Sequence, residues 1–259
     1  VNAKESIASI TNSTAIVDDM AIVVDGLNKS FGSNHVLRDF SLNVKRGESV
    51  AVIGKSGSGK SVLIKCIIGL IVPEKGTINV LSKEVTKLNN KDLDRLRVKV
   101  AFLFQSNALY DSMTVRDNLE FPLRRHWVET TKDEVDNLVM EALTNVGLAH
   151  TVDMMPSELS GGMRKRVALA RTLIMKPDII LYDEPTTGLD PITSREISNL
   201  MVDIQKKYNT SSIIISHDLS CVKITANKIV MLIDGKNYAE GTYDELSKSS
   251  DPKVNNFYI

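Results

Sequence analysis

The sequence predicts an α/β fold, and three features of the 259-residue chain predict it. A glycine-rich run, Gly54-Lys55-Ser56-Gly57-Ser58-Gly59-Lys60-Ser61, stands between the apolar stretch Ser49–Ile53 and an apolar helix candidate at 62–70, so a tight turn joins a buried strand to a helix. Apolar strands return at 179–182, 212–215 and 229–233, with helical patterns at 192–207 and 219–225 between them, the alternation of a helix-covered parallel sheet. Between the two blocks, residues 105–175 carry helical periodicity, which predicts a helical insert.

Taken in order, residues 1–18 mix Ser, Thr, Asn and Ala without a basic start or an apolar core. They read as a flexible lead-in rather than a signal peptide. Segments 21–31 and 36–44 are β-rich and separated by the turn residues Gly32-Ser33-Asn34, and Lys45-Arg46-Gly47-Glu48 turns into the strand at 49–53. This predicts a small N-terminal antiparallel β layer. Pro73 to Gly76 then turns into a strand at 77–81, followed by a polar helix at 88–97 and a strand at 99–104. Within the insert, Val135, Leu138, Val139, Ala142, Leu143 and Val146 form the apolar stripe of a helix over 132–146, and a second helix covers 163–173. Asp234-Gly235 is a hairpin turn into 237–240. The expected organisation is one domain over 19–259: a core of 19–104 and 176–245, a helical subdomain at 105–175, and a tail at 246–259.

The 32 basic and 32 acidic residues cancel, so no general electrostatic attraction to nucleic acid is expected, and no nucleic-acid partner. Apolar runs such as 66–72 fall short of the roughly 20 residues needed to cross a bilayer. Cys66 and Cys221 lie far apart inside apolar segments, as reduced, buried thiols of a cytosolic protein would.

The glycine-rich run has the chemistry of a phosphate cradle. Its glycines let backbone N–H groups turn inward, and the helix that opens there adds orphan donors and the positive end of its dipole. Lys60 supplies a full charge to β- and γ-phosphates, and Ser61 offers a hydroxyl to Mg²⁺. A second half follows at the end of the strand 179–182: Asp183 can hold the Mg²⁺ shell while Glu184 reaches a water in line with the γ-phosphate as general base. Together they predict binding of ATP or GTP with Mg²⁺. Ser160, with Gly161 and Gly162, caps a further helix and bares N–H groups toward an anion.

In this order the motifs are similar to those of the ATP-binding cassette (ABC) family of transporter ATPases, over about residues 21–245. The chain carries the P-loop Gly54 to Ser61, a Q-loop Gln105, and a signature turn Leu159-Ser160-Gly161-Gly162-Met163. A Walker B strand ends at Asp183 before Glu184, then come a D-loop Gly188-Leu189-Asp190 and a switch His217. The resemblance implies a P-loop NTPase (RecA-like) core with ATP as substrate and Phe31 stacked on adenine. It implies a head-to-tail homodimer in which ATP lies between the P-loop of one copy and Ser160 to Gly162 of the other. Ser61, Asp183 and Gln105 would hold Mg²⁺, and Glu184 and His217 would serve the attacking water. Dimer closure would then drive a membrane permease, with Gln105 linking nucleotide state to that contact.

Several segments resemble more narrowly the ATPases of Mla (maintenance of lipid asymmetry) and Mce-associated phospholipid transporters. These are Phe104 to Val115 with Asn118, Phe121-Pro122-Leu123-Arg124-Arg125-His126, Met154 to Met163, Asp190-Pro191-Ile192-Thr193 and the tail from Ser250 with Phe257. This implies phospholipid transport, an Mce-type lipid-binding protein as further partner, and a place on the cytoplasmic face of the inner membrane. Met163 departs from the wider ABC family, which usually has Gln at the signature's fifth position, while the narrower pattern is broken at Arg125, where an acidic residue is expected, and at Asn107, where Gly is usual. Import of a small polar solute and a non-transport ABC-type ATPase are the competing readings.

Overall fold

The computed structural model describes residues 19–125 and 131–258. The lead-in 1–18 and His126 lie outside the described residues.

In chain order, β1 (Met20–Phe31) and β2 (Asn34–Lys45) form a hairpin closed by Gly32 and Ser33. β3 (Ser49–Ile53) runs into α1 (Lys60–Ile67), and β4 (Lys75–Val80) and β5 (Lys83–Glu84) return to the hairpin. Then come α2 (Asn90–Lys99), β6 (Val100–Leu103), and three helices, α3 (Val115–Arg125), α4 (Lys132–Asn145) and α5 (Gly161–Leu173). β7 (Ile179–Asp183), α6 (Pro191–Tyr208), β8 (Ser211–Ile215), α7 (Leu219–Thr225), β9 (Lys228–Ile233) and β10 (Lys236–Gly241) follow. Two short helices, α8 (Tyr243–Ser247) and α9 (Pro252–Asn255), close the described chain.

The strands make two sheets. One is antiparallel in the order β2-β1-β4-β5; the other runs β10-β9-β3-β8-β7-β6 and is parallel except for β10. All five residues of β3 are buried, with Val50 and Val52 in the core shared with the antiparallel layer and Ala51 and Ile53 in a cluster beneath α7. On β7 the same alternation sends Ile179 and Leu181 to the first core and Ile180 and Tyr182 against α5 and α6. Burial on both faces explains why these strands read as unbroken apolar runs. A separate cluster joins α3, α4 and α5 through Val115, Leu119, Val139, Leu143 and Val167.

Strand and helix alternate along the chain up to 104, yet β4 does not join the parallel sheet. It pairs antiparallel with β1, sending Ile78 and Val80 into the core while Lys75, Gly76 and Thr77 stay at the surface. Gly76 makes the crossing possible: its φ is 93°, and a Cβ would lie 2.6 Å from the carbonyl oxygens of both Asp25 and Gly26. Both obstacles are main chain, so neither can swing away. Gly76→Ala is therefore expected to destabilise the fold by about 2 kcal/mol or more, lowering the Tm by roughly 5 °C in thermal melts.

The hairpin at Asp234-Gly235 has both residues in the left-handed region, φ 53° and 81°, the geometry of a two-residue primed turn. Cys66 and Cys221 are free and buried. Among the described residues no helix is long and apolar enough to cross a membrane.

Candidate functional site

Because β3 lies between β9 and β8, with β7 on the far side of β8, the carboxyl ends of β3, β7 and β8 deliver three loops to one edge of the sheet. Ligand sites of open α/β sheets form at such edges. The first loop is Gly54 to Gly59. Its left-handed Gly57 and Gly59 have φ of 78° and 103°, and a Cβ on Gly59 would sit 2.6 Å from Val36 Cγ1. Gly59 is also the residue from which α1 starts, so the loop's N–H groups and the helix end converge. They border a cavity of about 730 Å³ that also reaches Phe31, Gln105, Glu184 and His217.

Lys60 is only 8% exposed, and its Nζ donates to the carbonyls of Gly54 at 2.8 Å and Lys55 at 3.0 Å. The ammonium is thus folded into the cradle by its own loop. Burial lowers its pKa, and the charges of Glu184 and Asp183 pull it back up. One residue on, Ser61 Oγ donates to Asp183 Oδ1 at 3.2 Å, tying the start of α1 to the end of β7.

Glu184 has φ of 52°, a strained value for a non-glycine residue. Its N–H continues the ladder to Ile215 O at 2.9 Å, while its Oε2 accepts from Thr187 Oγ1 at 3.1 Å and lies 2.8 Å from His217 Nδ1. The carboxylate is nearly buried and the imidazole mostly exposed. Phe31 ends β1 half exposed, with Lys29 Nζ 5.2 Å from its ring centroid.

Ser160, Gly161, Gly162 and Asp190 are not brought to this cavity. Ser160 Oγ accepts from Met163 N at 3.2 Å and so caps α5. Gly162 presses on Thr193, where a Cβ would meet Cγ2 at 2.7 Å. Asp190 caps α6 by accepting from Ile192 N and Thr193 N, both at 3.0 Å, and its bonds from Thr193 hold its carboxyl below the usual range. The signature turn and the D-loop therefore form one patch, apart from the phosphate cradle of the same chain.

Several neighbours escaped the sequence reading as site residues. Val36 and Phe257 line the cavity, Thr187 holds Glu184, and Lys165 donates to the main-chain oxygen of Gln105 at 3.1 Å. Thr187 had a signal, since it follows Glu184 by three residues in a strand-end turn. Lys165 had none: a cation inside an apolar helical stripe reads as a solvated break.

The cradle fits a nucleoside triphosphate, with open space beside Gly57, a nearly buried Lys60 ammonium and a buried Ser58 hydroxyl that has no hydrogen-bond partner. Ser61 and Asp183 present the hard oxygens that Mg²⁺ takes in ones and twos while keeping water and phosphate oxygens for the rest of its shell. Among the described residues, no group of three or more His, Cys, Asp or Glu could hold a metal ion. Burial raises the pKa of Asp183, the charge of Glu184 adds to this, and the Ser61 hydrogen bond opposes it. The folded protein thus takes a proton at Asp183 more readily than the unfolded chain does. This site consequently costs stability at neutral pH, and the cost fades as pH falls through the raised pKa. Asp183→Asn is expected to raise the Tm of the nucleotide-free protein at pH 7, with the gap over the parent closing at acid pH in melts across a pH series.

A family model for ABC transporters matches residues 37–187. The chain is 39% identical over 92% of its length to the probable ribonucleotide transport ATP-binding protein mkl of Mycobacterium leprae, of which it spans 68%. It is 38% identical over 91% of its length to the intermembrane phospholipid transport system ATP-binding protein MlaF of Haemophilus influenzae, spanning 89% of that protein. Among solved structures, the dimeric ATP-binding cassette MJ0796 bound to ADP and Pi superposes with a TM-score of 0.78 at 29% identity, over 85% of this chain and 98% of that one. With a family model over more than half of its length and relatives 38–39% identical along nearly all of it, the chain belongs to the ABC transporter family, as an ATP-hydrolysing subunit.

Proposed function

We propose that this ATPase powers phospholipid transport through a membrane permease in an Mla/Mce-type system, working as a head-to-tail homodimer on the cytoplasmic face of the inner membrane. The observation that carries the transport assignment is the likeness to MlaF over nearly that protein's whole length, departures at Asn107 and Arg125 notwithstanding. The dimer is supported by the separation of the Ser160 patch from the cradle, which leaves each chain with half of two sites. The functional units would be a nucleotide-binding core at 19–104 and 176–245, a helical subdomain at 105–175 and a tail at 246–259.

In this reading Phe31 stacks on adenine, and Lys60 with the amides of Gly54 to Gly59 holds the β- and γ-phosphates. Ser160, Gly161 and Gly162 of the second copy close on the γ-phosphate, and Asp190 fixes the turn beside them. Ser61, Asp183 and Gln105 would hold Mg²⁺, which when bound neutralises charge on the β- and γ-oxygens. Glu184 takes the proton of the attacking water, while His217, with Nδ1 protonated, orients that carboxylate and supports the developing charge. Catalysis is then positioning and electrostatics, and the closing and opening of the dimer does the mechanical work.

Pull-down of the chain from native membranes, with mass spectrometry of proteins and lipids, tests the assignment. A permease together with an Mce-type lipid-binding protein and bound phospholipid is the expected result. A solute-binding protein without lipid above background would favour import of a small polar solute, and a polar solute, a ribonucleotide, is what the name of the mkl relative gives as transported.

A further inference from the structure

Residues 104–114, which leave β6 and lead to α3, take an unusual path. Asn107 and Ala108 are consecutive and both left-handed, with φ of 64° and 50°. Asparagine tolerates that region and alanine does not, so the bend persists only if its surroundings fix it. The side-chain oxygen of Asn107 is buried without a hydrogen-bond partner, a further cost of the path.

The fixing comes from α5, the helix that Ser160 caps. Arg171 donates through Nη1 to Ala108 O at 2.8 Å and through Nη2 to Asn107 O at 2.9 Å, with its guanidinium 6.0 Å from the Tyr110 ring centroid. Lys165, on the same helix, donates to Gln105 O at 3.1 Å. Three carbonyls within four residues are thus held by two cations of one helix. Lys165 is 2% exposed, and its burial lowers its pKa even though the charges of Asp183 and Glu184, both beyond ion-pair distance, pull it back up. A neutral carbonyl and two more distant carboxylates only partly compensate the ammonium for its lost hydration, since burial remains the larger effect, and methionine would fill the same space without that cost. Stability therefore does not account for a lysine here.

We propose that Lys165 and Arg171 are positioning residues that lock Gln105 to the helix carrying Ser160. Movement of α5 relative to the parallel sheet then displaces Gln105 at the cavity, and nucleotide held at Gln105 restrains the turn that a second protomer must meet. The inference deepens the proposed function, because it rests on Gln105 serving the nucleotide site.

Steady-state ATP turnover, ATP affinity and melting temperature of the full chain test it, in Lys165→Met, Lys165→Arg, Arg171→Lys, Gln105→Ala and the double variant Gln105→Ala/Lys165→Met. Lys165→Met should melt no lower than the parent and bind ATP within about twofold, yet lose about tenfold in kcat, the scale of a displaced catalytic group. Lys165→Arg should recover most of that loss, since it restores a donor. Arg171→Lys, with its fork gone, should fall between. The double variant should be no slower than Gln105→Ala alone, because both changes break one device. Parental kcat in Lys165→Met, or losses that add in the double variant or track the melting temperature, would overturn the lock. Should Gln105→Ala slow turnover while Lys165→Met does not, the lock alone falls. Should Gln105→Ala turn over at the parental rate, the role given to Gln105 falls and the lock with it.

Discussion

Glu184→Gln is expected to cut ATP turnover by about 10²- to 10⁴-fold while leaving ATP affinity near that of the parent, the contribution typical of a positioned general base. The substitution isolates proton acceptance from everything else Glu184 does. Its backbone, at φ 52°, is pinned by the N–H bond to Ile215 O, and its side chain is held by Thr187 and His217. A glutamine oxygen can accept from the same donors, and the side-chain volume hardly changes, so the loop keeps its shape. What disappears is the carboxylate proposed to remove the water's proton. ATP should then bind, draw two chains together and stay, so the variant sediments as a dimer with ATP and Mg²⁺ where the parent returns to monomer as it hydrolyses. Phosphate release and analytical ultracentrifugation read the two halves separately. Turnover at the parental rate would remove Glu184 from its role, and a monomer under saturating ATP would count against the shared site.

How much of this was legible in the sequence follows from what each residue responds to. β3 and β7 are buried on both faces, so their apolar runs gave their bounds to within a residue, and residues at fixed distance from a strand end, such as Lys60, Asp183 and Glu184, came with them. The partner of β4 was not legible, because local periodicity says nothing about which sheet a strand joins; the left-handed Gly76 beside β1 decided it. α3 contains Pro122, which ordinarily argues against a helix, and forms because Val115, Leu119 and Leu123 are buried against α4 and α5. The path of 104–114 hangs on bonds from Arg171, 63 and 64 residues further along the chain, which no window of adjacent residues contains. For the same reason the residues alone identified Ser160 as a helix cap, and its separation from the cradle of its own chain was expected only through the family resemblance.

Lys60→Ala is expected to fail one step earlier than Glu184→Gln, at binding itself. The Lys60 ammonium sits 2.8 Å and 3.0 Å from two carbonyls of its own loop, nearly buried, and the charges of Asp183 and Glu184 favour its protonated form. An incoming phosphate gives that ammonium a charged acceptor in place of neutral ones, an exchange worth about 1.5–3 kcal/mol for each hydrogen bond involving a charged group. Removing the side chain forfeits the exchange and leaves two acidic groups facing a polyanion with the amides alone to offset them. ATP affinity should drop by about 10- to 100-fold in titration calorimetry. ADP should lose less, since the missing charge would have reached the γ-phosphate as well. The same protein should show no ATP-induced dimer, and adding Glu184→Gln should not restore one, because a site that does not fill cannot be trapped closed. Equal losses for ATP and ADP would move Lys60 away from the terminal phosphate, and parental affinity for both would empty the cradle of its assigned ligand.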